Sequence, residues 1–484
     1  MNQSTFPHTQ EALSTCTSVR VAHILALASP NDELRTQAAT KRDELIKLAS
    51  ASAVSADLVA MGSRWRSVIR DAESRPEMME LRKAHCSSTD ASIRRKACEQ
   101  RIQCFEENAF VMRDMRVVAT REARERGFLS WIEYRTHALG GGAEVRKKLI
   151  DYITLLQSSV TIEQQRMRQA LLLHDNEPLH WEDRNYARTL LLSQVASSAL
   201  PVASDSDEKC THNNESWVDV LYAWLNELNC VWQRVFDTKI HIDSINYYAH
   251  GVGAWSVPLV SMIVSHGGDY GEIWIDALAR PSKPFAGVTA RIYTFYTFSS
   301  TNHPGAALVS LPFAENASTW GVAERTTFAH EMGHGLHQCL ARVDKDDLPF
   351  CEVPSTLSEH AFSLSSLINQ DDPFTALSGV YDACVALWSL DAFDDQQTYP
   401  RLSCFLRTYL PGWRIPEDAG EYSIAAIASK LSDYFCYVYS DLSVRAAMSL
   451  VYTKTPETVT RTAEQARLLC ELWKYMTFDV APAF

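Results

Sequence analysis

The sequence predicts a mainly α-helical protein with a small mixed β-sheet beside a helix that carries the motif H-E-x-x-H. Helical patterns fill most of the first 240 residues and return after residue 353, whereas runs rich in Ile, Val, Tyr, Phe and Thr lie between residues 259 and 311. Hydrophobic residues make up 46% of the 484-residue chain and charged residues 22%, which supplies enough apolar surface for a large core.

The helical part is divided by glycines, prolines and polar runs. The segment 22–118 is predicted to be helical, a break follows at Gly127-Phe128, and the next helix ends at Leu139. The polar segment 201–215 predicts a surface loop. Further helices are predicted over residues 144–173, 186–198 and 217–236.

The sheet is predicted to contain about four strands, separated by glycine- and proline-containing turns. The motif helix follows directly, and an edge strand beside it could hold an extended peptide by main-chain hydrogen bonds. The predicted strands are residues 259–264, 271–277, 291–298 and 306–311.

The motif is formed by His330, Glu331 and His334. Residues four apart on a helix lie on the same face, so both imidazoles can bind one ion while Glu331 lies beside it. Catalytic zinc takes three protein ligands, and a neighbouring carboxylate can act as general base. The alternative is an ordinary amphipathic helix with surface histidines. Gly333, which has no side chain, either leaves the helix surface open beside the ion or lets another helix pack closely.

A third zinc ligand must come from another segment, and Glu352 is the predicted residue. Glu352 and Glu359 are seven residues apart near the start of a predicted helix, so both carboxylates face the same way. Glu359 can then accept the second imidazole N–H of a ligand histidine. The alternative for Glu352 is a solvated acid favoured by the helix dipole. Cys339 and Cys351 are interpreted as packing residues rather than competing ligands.

The composition argues against several classes of partner. The net charge of −13 disfavours nucleic acid and anionic membranes, which need a basic surface. No apolar run reaches the roughly 18 residues that span a bilayer, and the first 30 residues match a secretory or mitochondrial leader poorly. The 12 scattered cysteines are typical of free thiols in an intracellular compartment, with the mitochondrial matrix and the cytoplasm both open.

Longer segments around the motif resemble a known family. The run F-A-H-E-M-G-H-G-L-H, followed by E-V-P-S-x-L-x-E from Glu352, is similar to the thimet oligopeptidase and mitochondrial intermediate peptidase family of zinc metallopeptidases. The Glu-Val-Pro-Ser sequence is closest to the second branch. Upstream, residues 271–276 with Arg280 and Lys283 resemble the family's G-x-x-Y-x-D strand, and residues 306–309 resemble its edge strand.

This resemblance implies a helical body split by a deep substrate channel, with one zinc ion on its floor and Glu331 as general base. Tyr437 and Tyr434 match tyrosines that lie opposite the metal, where a phenol can donate to the oxyanion, although aromatic core packing is the alternative. The protein is then a metalloendopeptidase of short peptides, expected to be a monomer. The implied zinc ligands are His330, His334 and Glu352.

Two lobes of one body are expected, a mainly helical region over residues 1–240 and a catalytic region over residues 241–484. The chain departs from the family pattern where Ala425 replaces a histidine, Lys430 a tyrosine and Pro349 an acid. These departures keep a second function class open, namely a zinc-binding homologue that binds or regulates peptides with impaired catalysis. A helical scaffold with an accidental motif is a third.

Overall fold

The structure is a computed structural model of the chain. The predicted loop 201–215 and most of the chain before residue 56 lie outside the described residues. Described are residues 56–174, 177–198, 216–236, 241–251, 257–266, 269–280, 283, 288–293, 297–298, 301–302, 305–317, 320–340, 352–365, 375–394 and 400–451, with single positions between 33 and 41.

The described chain is mainly helical, as predicted. None of the helices in these ranges combines the length and the apolar composition needed to cross a bilayer. The α-helices are α1 (Ala56–Glu73), α2 (Pro76–Ser87), α3 (Ala91–Gln103), α4 (Glu107–Glu125), α5 (Trp131–Thr136), α6 (Gly142–Ala170), α7 (Arg184–Ser198), α8 (Trp217–Phe236), α9 (Val322–Leu340), α10 (Val353–Ser365), α11 (Thr375–Ala392), α12 (Leu402–Tyr409), α13 (Ile427–Lys430) and α14 (Phe435–Val451).

The strands are β1 (Leu179–His180), β2 (His241–Tyr248), β3 (Leu259–His266), β4 (Asp269–Leu278), β5 (Val288–Tyr293), β6 (Thr297–Phe298), β7 (Thr301–Asn302), β8 (Gly305–Phe313) and β9 (Trp413–Arg414). Five of them form a sheet in the order β2-β3-β4-β8-β5. β4 and β8 run parallel and the other neighbours run antiparallel, so the small mixed sheet that the sequence predicts is confirmed.

The chain forms two compact units. The sheet unit contains residues 1–48, 204–369 and 440–484, and thus the five-stranded sheet with α8, α9 and α10. The helical unit contains residues 49–203 and 370–439. The predicted lobes 1–240 and 241–484 and the predicted substrate channel stay predictions.

One face of the sheet forms the core of the sheet unit. Alternate residues point to this face, such as Ile273 and Ile275 on β4 and Val309 on β8, and all three are fully buried. α9 packs against β4, β8 and β5 and adds Phe328 and Met332 to the same cluster. α8 and α10 also contribute to this cluster. The sheet therefore holds the motif helix in place.

Three of the four predicted strands lie within β3, β4 and β8. The fourth, residues 291–298, is only partly right, because β5 begins at Val288 and ends at Tyr293. β2 was not predicted, since none of its residues is buried and it carries no continuous apolar face.

The predicted edge strand is wrong. Residues 306–309 belong to β8, which pairs with β4 on one side and with β5 on the other, for example through Val309 and Thr289. Almost every residue of β8 is buried, as expected of an inner strand. β5 is therefore the outer strand at this side of the described sheet.

The segment that resembles the G-x-x-Y-x-D strand ends in a buried ionic cluster. The Asp276 carboxylate accepts hydrogen bonds from Arg280 at 2.9 and 2.6 Å and from Nζ of Lys283 at 2.8 Å. Burial lowers the pKa of Lys283 to about 8, against the opposing effect of Asp276. The cluster ties the chain that follows β4 back onto the strand.

The predicted break at Gly127-Phe128 is confirmed. Gly127 has a φ of 87°, in the left-handed region that favours glycine after a helix end. Ser130 then starts α5, because its Oγ accepts from the backbone N–H of Glu133 at 3.1 Å. The carboxylate of Glu133 in turn accepts from the backbone N–H of Leu129 at 2.7 Å.

Candidate active site

The motif lies on α9, whose first turn is stabilised by an acidic side chain. The carboxylate of Glu324 accepts a hydrogen bond from the backbone N–H of Gly321 at 2.8 Å. Met332 is fully buried in the sheet core and sets the rotation of the helix. His330 and His334 then lie one turn apart, with ring centroids 4.9 Å apart.

Glu352 brings a carboxylate to both imidazoles. Its Oε2 lies 3.0 Å from Nε2 of His334 and 3.5 Å from Nε2 of His330. The ligand atoms of all three residues lie within 4.8 Å of one another. Two atoms bound to a tetrahedral zinc ion at about 2.0–2.1 Å are separated by roughly 3.3 Å, so the observed spacing suits such an ion.

Two neighbouring side chains orient these groups. The Ser355 hydroxyl lies 2.8 Å from the carbonyl oxygen of Glu352 and 3.2 Å from its Oε2, and it can donate to either. Nδ1 of His330 hydrogen-bonds to Oε1 of Glu359, the contact that the seven-residue spacing predicts. This bond directs Nε2 of His330 toward Glu352 and so prepares the ring for a metal.

Gly333 allows the two helices that carry these residues to touch. A Cβ atom at this position would lie 2.4 Å from the carbonyl oxygen of Pro354 and 2.8 Å from Cα of Ser355. Both atoms belong to the backbone of α10, so any side chain would push the helices apart. Of the two interpretations of Gly333, close helix packing is the one that the structure supports.

The charge distribution suits a cation. Burial by itself would lower the pKa of His330. The carboxylates of Glu359, Glu352 and Glu331 have the opposite effect and raise this pKa well above its usual value. The carboxylates therefore stabilise positive charge at the imidazole pair. Two imidazole nitrogens and one carboxylate oxygen are a donor set that zinc accepts, so the residues present fit a zinc ion.

The predicted base, Glu331, is buried beside this group, with 7% of its surface exposed. Its charge contributes to the raised pKa of His330, which shows that the carboxylate lies close to the imidazole. A carboxylate in this position can exchange a proton with a molecule bound next to the histidines.

The predicted tyrosines lie in the helical unit, whereas the histidine–glutamate group lies in the sheet unit. The Tyr434 hydroxyl donates to Oδ1 of Asp382 at 2.9 Å, and burial raises the pKa of Tyr434 well above its usual value. The rings of Tyr434 and Tyr437 are 5.0 Å apart, and Nζ of Lys430 lies 5.5 Å above the Tyr437 ring. Ala425 is exposed. The oxyanion role of both tyrosines stays a prediction.

Cys339 is a packing residue, as expected. It is fully buried, and its Sγ contacts the carbonyl oxygen of Leu336 at 3.4 Å. A Cβ atom at Gly271 or Gly305 would collide with Cys339, so these glycines make room for it against the sheet. Cys351 and Pro349 lie outside the described residues.

Sequence reasoning missed the residues that link α10 to α14. Nε2 of His360 lies 2.8 Å from Oδ1 of Asp441, and Nε of Arg445 donates to Oδ2 of Asp441 at 2.5 Å. Burial would raise the pKa of Asp441, but His360 and Arg445 lower it to about 2. His360 directly follows Glu359, so this link also fixes the helix that orients His330. The i, i+4 spacing of Asp441 and Arg445 was the available signal.

Solved structures of known proteins resemble this chain in fold. A solved structure assigned as an oligoendopeptidase F is 13% identical, with a TM-score of 0.57 over 97% of this chain and 84% of that chain. An assigned oligoendopeptidase F from Bacillus anthracis str. Ames is 12% identical over 98% and 79% of the two chains, with a TM-score of 0.48. At such identities the first likeness shows the fold alone. The search of curated proteins gives no match.

The family itself is shown by sequence. The model of peptidase family M3 matches residues 84–372, more than half of the chain, and this range includes every residue of the histidine–glutamate group. The chain belongs to peptidase family M3, a family of metal-dependent peptide hydrolases.

Proposed function

We propose that the protein is a zinc-dependent metalloendopeptidase that hydrolyses short peptides. The observation that carries the proposal is the approach of His330, His334 and Glu352 to one another within 4.8 Å, in a chain of peptidase family M3. These three residues would hold one zinc ion, and Glu359 would keep His330 oriented toward it.

A zinc ion held by these residues would supply Lewis-acid chemistry for a scissile carbonyl and for water. Glu331 accepts the proton of the attacking water and then passes it to the leaving amine. Tyr437 is the preferred donor to the oxyanion, because the hydroxyl of Tyr434 already donates to Asp382. The outer strand β5 packs against α9 and is the strand that we expect to hold an extended peptide.

The branch of the family to which we assign the chain follows from the Glu-Val-Pro-Ser segment, which resembles that of mitochondrial intermediate peptidases. We place the chain with the thimet oligopeptidase and mitochondrial intermediate peptidase branch, acting as a monomer inside the cell, in the mitochondrial matrix or the cytoplasm. A second candidate function is a zinc-binding homologue that binds peptides with impaired turnover. Ala425 and Lys430 favour it, because they replace a histidine and a tyrosine of the family pattern.

The test is Glu331→Gln in the full-length protein. We expect cleavage of quenched fluorescent peptides to fall roughly 10²–10⁴-fold, the usual contribution of general acid–base catalysis, with zinc content by mass spectrometry unchanged at one ion per chain. Glu315→Gln, at an exposed position shortly before the same helix, is the matched control and should retain activity.

Other results would support a different function for the protein. A zinc-loaded protein that binds peptides but cleaves none supports the second function. A protein that takes up no stoichiometric zinc has an accidental motif, and Glu331→Gln with full activity removes Glu331 as the base.

A further inference from the structure

A guanidinium in the helical unit is held by aromatic rings and has no hydrogen-bond acceptor among the described residues. Arg184 is the first residue of α7 and is half-buried. Its Cζ lies 4.0 Å from the ring centroid of Trp181 and 5.2 Å from that of Tyr381. Trp181 is fixed in turn, because its ring packs against Tyr381 and Trp413, each at 5.7 Å. The rings therefore set the position of the guanidinium.

Among the residues that the structure describes, none places a hydrogen-bond acceptor or a carboxylate within bonding distance of the Arg184 guanidinium. The preceding residue, Asp183, is engaged elsewhere, since Nε of Arg94 donates to it at 2.8 Å. The buried guanidinium of Arg94 is therefore paired with a carboxylate, as is usual, whereas that of Arg184 is not paired with any described residue. A partly desolvated guanidinium whose five N–H donors meet no acceptor is costly to maintain.

The groups around Arg184 add donors and little negative charge. Burial raises the pKa of Tyr381 to about 12, against the opposing effect of Arg184, so its phenol stays protonated at neutral pH. The nearby Asp382 carboxylate already accepts a hydrogen bond from the Tyr434 hydroxyl. Nε1 of Trp413 is buried, and no acceptor for it occurs in the described part of the chain. A singly charged group with two oxygens matches this set of donors better than a multiply charged phosphate, because repulsion from Asp382 grows with the negative charge of the ligand.

We propose that Arg184, held flat by Trp181 and Tyr381, binds a carboxylate group of the peptide ligand. The planar fork of a guanidinium pairs with the two oxygens of a carboxylate by parallel hydrogen bonds. The carboxylate is either the C-terminus of the peptide or an Asp or Glu side chain. This inference deepens the proposed peptidase function and rests on it, because it states a chemical preference among peptide substrates.

The experiment measures binding rather than cleavage. Three mixtures of fluorescein-labelled octapeptides are titrated with full-length Glu331→Gln protein, and binding is followed by fluorescence anisotropy. The first mixture lacks Asp and Glu and ends in a free carboxylate, and the second is identical but ends in a carboxamide. The third ends in a carboxamide and contains one Glu. The same titrations are made with double variants that combine Glu331→Gln with Arg184→Gln, with Arg184→Lys or, as the control at an exposed arginine of α6, with Arg166→Gln.

We expect the first mixture to bind roughly 10- to 100-fold more tightly than the second, as charge-assisted hydrogen bonds allow. Arg184→Gln should abolish this preference, Arg184→Lys should reduce it, and Arg166→Gln should leave it unchanged. Preferential binding of the third mixture that depends on Arg184 also supports the proposal and assigns a side-chain carboxylate. Circular dichroism verifies that each variant is folded.

Equal binding of the three mixtures overturns the proposal, and this comparison needs no substitution at Arg184. A preference that survives Arg184→Gln, or no binding of any mixture, overturns it as well. Failure of the peptidase assignment gives a different result. In that case the zinc-loaded protein with Glu331 intact cleaves no peptide, whichever mixture it binds more tightly.

Discussion

The lack of a side chain at Gly333 decides whether the three predicted metal ligands come together. His330 and His334 lie on α9, but Glu352 directly precedes α10, and Gly333 is where the two helices touch. The separation between Glu352 and the imidazoles therefore depends on a contact made by backbone atoms. A residue that is neither a ligand nor a base thus controls the geometry of the site.

We expect Gly333→Ala to lower the free energy of unfolding by about 1–3 kcal/mol, as overpacking of a tight contact does. Zinc affinity should fall roughly tenfold or more, because the movement of α10 displaces Glu352. Urea denaturation and competition with a chelator measure the two effects. In the control Gly321→Ala, the new Cβ meets nothing closer than 3.7 Å, so both quantities should stay unchanged. Unaltered zinc affinity in a folded Gly333→Ala protein would contradict this account.

Helix ends are stabilised by side chains distant in sequence. The carboxylate of Glu163 on α6 accepts hydrogen bonds from the backbone N–H groups of Ala376 at 2.8 Å and Leu377 at 2.7 Å. These amides belong to the first turn of α11, where backbone donors have no partner within the helix. The negative charge also faces the positive end of the helix dipole. One buried acid thereby joins two long helices of the helical unit.

At this scale we predict that Glu163→Ala lowers the free energy of unfolding by about 2–3 kcal/mol, because two buried amides lose a charged acceptor. Glu163→Gln, which keeps one carbonyl oxygen, should lose about half as much. Urea denaturation at neutral pH gives both values. Gln165→Ala, at an exposed position on the same helix, should change stability by less than about 0.5 kcal/mol. If Glu163→Ala matched this control, the capping contribution would be refuted.

The stability of the whole molecule should depend on pH through a buried acid, Glu421, whose desolvation outweighs the opposing effect of Arg401. Glu421 is 1% exposed, and burial raises its pKa from 4.5 to about 7. The folded state therefore holds the Glu421 proton more tightly than the unfolded chain does. This stabilisation is fully present below pH 4.5 and is lost as the pH rises through 7, with a range on the order of 2–3 kcal/mol.

Glu421→Gln removes the titrating group, so it should stabilise the protein at pH 8 relative to the parent and have much less effect near pH 5. Urea denaturation across this pH range measures the difference as a function of pH. Glu417→Gln, at an exposed position four residues away, should show no such trend. A difference that is constant with pH would show that Glu421 does not titrate with a raised pKa.

Local patterns were informative wherever the physical cause is local. The H-E-x-x-H spacing predicts two imidazoles on one helical face, and the segment 217–236 coincides with α8 because its apolar periodicity is strong. β2 was not predicted, because no residue in it is buried and its sequence therefore lacks a continuous apolar face. The edge position was misassigned because strand order arises from pairing between distant segments, which apolar content alone does not encode.

By itself, the sequence determined the fold class, and it predicted two histidines and a glutamate as metal ligands and a neighbouring glutamate as base, because helical periodicity and ligand chemistry act over a few residues. Only the tertiary structure decided that β5 rather than β8 is the outer strand of the described sheet, that Gly333 serves helix contact, and that Arg184 meets no acceptor among the described residues. Each of these depends on which distant segments pack together, and packing is set by the summed burial of the whole core rather than by any short pattern.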